Sequence, residues 1–209
     1  EQGNPNLRPK FSHNIELSHT LNNFITTTFN FTKTNNIIQT VLEQNENTNQ
    51  TFGKQSNIAN QRQYSIAVSM FKQVKKFNGN FYVNVYNNEF SGLVNNSFIT
   101  IGATTAAFNT SASYKFNNGI TSEVNGFYRT AGLEGIFRIR SLGAVNVGAS
   151  MPLFKNNATI KLSVRDIFWT QKATGNVKFG TIDTKFQQIP DSRTIGLNFS
   201  YRISKGKLS

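Results

Sequence analysis

The chain has 209 residues, about one domain's worth, with 37% apolar and 15% charged residues against typical values of about 45–50% and 25%. Asn, Thr, Ser and Gly fill the difference, but 19 Phe and 6 Tyr exclude a disordered chain, and the lack of Cys excludes disulfides, thiolate metal sites and a cysteine nucleophile. The net charge of +12 would suit nucleic acid, lipopolysaccharide or an anionic ligand, yet Lys75-Lys76 is the only Lys/Arg doublet, so no nucleic-acid face is expected.

Period-two alternation predicts about nine strands, at 11–21, 23–42, 51–70, 77–94, 98–116, 120–137, 139–153, 158–175 and 192–203. In the first, Ile15, Leu17 and Leu21 alternate with Asn14, Glu16, Ser18 and Thr20, with His19 interrupting the apolar face. In the second, Ile25, Thr27, Phe29 and Phe31 alternate with Thr26, Thr28, Asn30 and Thr32. Val145, Val147, Ala149 and Met151 form one face of the seventh, and Ile160, Leu162 and Val164 one face of the eighth. The last is the cleanest: Ile195, Leu197, Phe199, Tyr201 and Ile203 alternate with Thr194, Gly196, Asn198, Ser200 and Arg202. A helical period would scramble every one of these faces.

Short turns are expected at Leu21-Asn22-Asn23, 71–76, Asn117-Asn118-Gly119 and Lys155-Asn156-Asn157. Longer polar links are expected at 43–50, 87–96, 130–134 and 172–192. Short and long links alternate, as in outer-membrane barrels with tight periplasmic turns and long outer loops. No apolar run reaches the roughly 18–20 residues of a spanning helix, and Glu1-Gln2-Gly3-Asn4-Pro5 is no signal peptide. The expected fold is therefore all-β, an antiparallel transmembrane β-barrel portion. Phe71, Phe77, Tyr114, Phe116, Phe154 and Tyr201 sit beside the short turns and read as membrane-interface aromatics.

Three segments resemble one family. Gly3-Asn4-Pro5-Asn6-Leu7-Arg8-Pro9 is similar to a stretch of TonB-dependent receptors that precedes a descending strand, with Lys10 where an acidic residue is common. Leu162-Ser163-Val164-Arg165-Asp166-Ile167-Phe168 resembles the penultimate strand, and 194–207 the closing one. Ile203 stands where Phe is frequent, and Phe77 where a Trp pair is common. The resemblance is closest to the outer-membrane β-barrel family found with TonB-dependent and SusC-like receptors. It implies a barrel of about 22 strands closed by a plug domain. It also implies import of a scarce ligand, such as an iron chelate or glycan, with energy passed through TonB. Nine antiparallel strands would meet parallel at the seam, so residues 1–209 are expected to be the C-terminal segment of such a barrel, without the plug and earlier strands. Expected partners are outer-membrane lipid, the plug and remaining strands, the TonB system and a surface lipoprotein; the expected location is the bacterial outer membrane.

Catalytic signals are weak, so no enzyme, metal site or cofactor is expected. His13 and His19 share one strand face but lie about 20 Å apart at roughly 3.3 Å per residue. Asp166 reads as a strand-end structural residue rather than a ligand contact, and Trp169 as a barrel aromatic rather than a sugar platform. Arg129, Arg138, Arg140, Arg165 and Arg202 are the candidate lumen cations facing ligand or plug. Two other readings use the same alternation: a soluble or surface β-sheet binding module or adhesin, whose partner sheet would bury the apolar faces, and a small complete porin-like barrel.

Overall fold

The computed structural model describes residues 4–44, 51–94, 97–135, 137–179 and 182–203. They form thirteen strands in two antiparallel sheets. Nine make the main sheet, in chain order: β1 (Phe11–Leu21), β2 (Ile25–Gln44), β3 (Thr51–Val74), β4 (Phe77–Val94), β5 (Ser97–Lys115), β6 (Thr121–Arg129), β9 (Leu142–Leu153), β10 (Ala158–Arg165) and β13 (Thr194–Tyr201). Four short strands make the second sheet: β7 (Gly132–Glu134), β8 (Phe137–Ile139), β11 (Ala173–Phe179) and β12 (Ile182–Gln188).

The nine strands expected from alternation are the nine of the main sheet, with shifted ends. The stretch 87–96 is not chiefly a link, since β4 runs through Val94. Nor are 130–134 and 172–192 plain links, because they contribute to the second sheet. The expected strand 120–137 ends at Arg129, and 158–175 ends at Arg165. Much of the expected link at 43–50 lies outside the described residues.

The main sheet has one apolar and one polar face because its register carries the alternation across neighbours. Ile15 lies opposite Phe31, Phe31 opposite Tyr64, and one step along, Leu17, Phe29, Ile66 and Val85 form a row. At the other edge Ile195 faces Val164, which faces Val147. The opposite face is stitched by side-chain hydrogen bonds, among them Ser18–Thr28 at 2.8 Å, Thr20–Thr26 at 3.0 Å and Asn146–Asn125 at 2.8 Å. Such cross-strand pairs contribute about 0.2–1 kcal/mol each. Lys161 and Glu123 form an ion pair on this face.

The hairpins turn where the sequence tolerates left-handed backbone. Asn22 and Asn23 both have positive φ, as a two-residue type I′ turn requires. Gly119, at φ 88, turns the β5–β6 hairpin. Phe154, Lys155 and Asn156 turn the chain between β9 and β10.

At the long-link end the apolar residues change faces. In β4, Phe81, Val83 and Val85 lie on the apolar face, whereas Phe90 lies on the polar one. In β5, Ile99, Ile101 and Ala103 share a face with Asn109, Ser111 and Ser113. In β2 the change comes from a bulge. Three steps from Thr34 to Ile37 match two from Gln61 to Ala59, with Asn36 at φ 55, so Ile37 takes the face of Thr34. These relocated side chains meet the second sheet. Ile37, Ala59, Phe90, Leu133 and Val177 form a buried cluster, with Ile99, Ile101, Ala103 and Phe137 packed against it. Burying a large aliphatic or aromatic side chain contributes about 1.5–3 kcal/mol, enough across this cluster to hold two loops as one folded unit.

The second sheet therefore covers the polar face. Among the described residues nothing covers the apolar face, where Ile195 and Leu197 are 76% and 72% exposed. A soluble sandwich would bury that face instead.

Candidate functional site

The site lies where the second sheet meets the polar face. Gly132 sits so close to Thr105 that a Cβ there would collide with the Thr105 hydroxyl. Thr130 accepts the Ala106 amide through its hydroxyl at 2.9 Å and donates its own amide to the Ala106 carbonyl at 2.9 Å, pinning the first loop to β5.

Asp166 ties down the second loop. Its carboxylate accepts the Thr170 amide (2.8 Å) and hydroxyl (3.1 Å), the Gln171 amide (3.0 Å) and the Ser192 hydroxyl (2.6 Å). Its amide donates to Asn146 on β9 at 2.9 Å. One buried carboxylate thus joins the end of β10, the start of the loop and the approach to β13. Burial pushes its pKa up, but the bonds from Ser192, Thr170 and Gln171 outweigh it and hold the carboxyl at about 2. Asp166 is fully buried, so its place is structural, and it presents nothing to a ligand. Nearby, the Lys172 ammonium stacks 3.7 Å from the Trp169 ring centroid.

Beside the first loop, three polar side chains on one face carry buried atoms without hydrogen-bond partners among the described residues. They are Asn84 at Oδ1, Thr105 at Oγ1 and Arg129 at Nε and Nη2, all buried atoms. Ala107 of β5 pairs with Asn84 on one side and Arg129 on the other, and Thr105 is two residues away on the same face. The small Ala107 side chain leaves the row open between an amide oxygen and a guanidinium. Among the described residues Arg129 has one ionic neighbour, the exposed Glu134 at 3.9 Å. Such a row can take an anionic group on Arg129 and a hydrogen-bond donor on Asn84.

The five candidate arginines do not converge. Arg129 lies in this row, and Arg138 and Arg140 are exposed on and beside the second sheet, where the Arg140 amide donates to Thr174. Arg165 is exposed at the end of β10, on the face of Lys161 and Ser163. Arg202 follows β13 at the opposite, short-turn end, its amide bonded to Asn157. Asn84 and Thr105 were missed by sequence reasoning. Their strand parity was readable, but the loop that covers Thr105 was not.

Of the interface aromatics, Phe77 pairs with Tyr114 in the register, Tyr114 packs edge-on to Phe116 (4.9 Å), and Phe154 edge-on to Tyr201 (6.3 Å). All are exposed at the short-turn end. Phe71 departs from them: it pairs with Asn80 and lies on the polar face. The reason is strand length, since β3 continues to Val74 and its alternation carries Phe71 inward. His13 and His19 lie on β1, and no cluster of three metal-ligating side chains occurs among the described residues.

Neither a curated protein nor a solved structure matches the chain significantly. A family model described as an outer membrane protein beta-barrel family matches residues 1–201. Long antiparallel strands, a bare apolar face and a match over nearly the whole length agree: the chain belongs to the outer membrane protein beta-barrel family and resides in the bacterial outer membrane.

Proposed function

We propose that the chain is the C-terminal barrel segment of a TonB-dependent, SusC-like receptor that imports a scarce ligand such as an iron chelate or glycan. The observation that supports this best is the second sheet. Two long loops fold together onto the polar face of the wall, beside the row of Asn84, Thr105 and Arg129, and the first of them covers Thr105. A simple diffusion pore gains nothing from a hydrophobic core built into its mouth, whereas a receptor needs ordered loops to hold a ligand.

The sheet edges support the segment reading. Among the described residues β1 and β13 each pair on one side, and nine antiparallel strands leave them parallel to each other. Further strands of the same barrel would close it with antiparallel pairs, and the lumen arginines would then face a plug domain. The partners on this reading are that plug, the remaining strands, the TonB system and a surface lipoprotein.

The test is uptake in the host. Deleting the gene should abolish import of one ligand from a panel of iron chelates and oligosaccharides, and deleting the TonB system should abolish it equally. Import that persists without TonB would overturn the proposal. Arg165→Glu should weaken plug docking or barrel stability; loss of transport for one anionic substrate, with the barrel unharmed, would assign Arg165 to the ligand instead.

A further inference from the structure

The apolar face carries a cationic row at one level. His13, Lys33 and Arg62 are successive register partners on β1, β2 and β3, and all three are exposed. Parity puts them on the lipid-facing side: Lys33 alternates with Phe29 and Phe31, and Arg62 with Tyr64 and Ile66. Directly beneath them, towards the short turns, lies a groove lined by Ile15, Leu17, Phe29, Phe31, Tyr64 and Ile66. Phe31 and Tyr64 stack at 4.9 Å within it.

The depth of the row follows from strand length. Lys33 stands nine positions beyond Phe24 at the β1–β2 turn. A tilted strand crosses the hydrocarbon in about 9–11 residues. The row therefore lies at the headgroup level of the leaflet on the long-loop side. Charged side chains cost little there, and their stems can extend along apolar surface while the charge reaches the headgroups. None of the ion pairs among the described residues includes Lys33 or Arg62. Glu89 is the register partner of Arg62 on the same face and offsets one charge; Lys33 keeps the row positive.

We infer that this face holds a phosphorylated glycolipid of the outer leaflet, its phosphate on Lys33 and Arg62 and its acyl chains in the groove below. An outward-facing groove in a barrel wall is bathed in lipid. Cations at headgroup height above an aromatic and aliphatic channel select an amphiphile with an anionic head, and a guanidinium beside an ammonium suits phosphate.

The test uses the full receptor in phosphatidylcholine nanodiscs containing either bisphosphorylated lipid A or the same lipid stripped of both phosphates. Lipid retained through detergent extraction is counted by mass spectrometry. Wild type should retain the bisphosphorylated form on the order of ten-fold more than the stripped form. Lys33→Gln with Arg62→Gln should lower retention to the stripped-lipid level, while Lys155→Gln, at the other end of the barrel, should leave it unchanged. Heat-modifiable migration shows that each variant is folded, and Lys33→Gln alone, expected to give intermediate retention, serves if the double variant is not. Equal retention of both lipids by wild type, wild-type retention by a folded double variant, or equal competition by phosphatidylglycerol would each overturn the inference.

Discussion

Phe90→Ala should release the second sheet while leaving the main sheet in place. Phe90 is 3% exposed and packs in the cluster with Leu133 and Val177. Truncating a buried Phe to Ala typically costs about 3–5 kcal/mol. Because the lost contacts join the two sheets, that cost falls on docking of the loops. At about 1.4 kcal/mol per ten-fold, even the lower figure raises the undocked fraction by on the order of a hundred-fold. Arg138 and Arg140 give trypsin two cleavage points in and beside the docked unit. When opening is fast relative to cutting, proteolysis follows the open population. Limited trypsinolysis of the protein in outer-membrane vesicles should thus cut at Arg138 and Arg140 far faster in Phe90→Ala than in wild type. Phe199→Ala, on the lipid-facing side, should not change the rate. Heat-modifiable migration should survive in both variants. Equal cleavage of wild type and a folded Phe90→Ala would show that the cluster does not hold the loops.

Other perturbations test the remaining anchors. Asp166→Asn should loosen the second loop by about 2–3 kcal/mol, because a buried charge-assisted bond goes unmade; proteolysis between residues 170 and 192 checks it. The Asp166 carboxyl titrates at about 2 when folded, below its ordinary 3.8, so its stabilisation is complete above the ordinary value and fades as pH falls through about 2. Loop protection measured from pH 6 down to 2 should fall in wild type and stay flatter in Asp166→Asn. Gly132→Val should undock the first loop by collision with Thr105, and Thr105→Gly should partly restore it; a harmless Gly132→Val would refute the close approach. Asn23→Gly should be neutral or slightly stabilising, because Asn-Gly suits a type I′ turn better, as thermal melting in detergent would report.

The main sheet was legible because each of its strands pairs with its neighbour in the chain or across a folded loop, and lipid imposes one alternation on all of them. The second sheet was not. β7 and β8 have three residues each, too few to display a period, and β8 pairs with β11, which lies far along the chain. The bulge at Asn36 hid the rest, since one inserted residue reverses every later position and made Ile37 read as a lipid-facing side chain. One clue was available: Ile99 and Ile101 fall on the opposite parity from Ala106 and Phe108, a reversal inside a single strand. Of the candidate arginines, parity placed Arg165 with its polar neighbours, but only the tertiary fold separates the partly buried Arg129 from the exposed Arg138 and Arg140.

The exchange of apolar residues between faces has a mechanical consequence. Lowering the wall by a few residues would drag Asn87 and Glu89 into hydrocarbon, while raising it would lift Val83 and Val85 into water. Both displacements are uphill, so the pattern works as a waterline fixed in the sequence. It holds the mouth at constant height in the membrane.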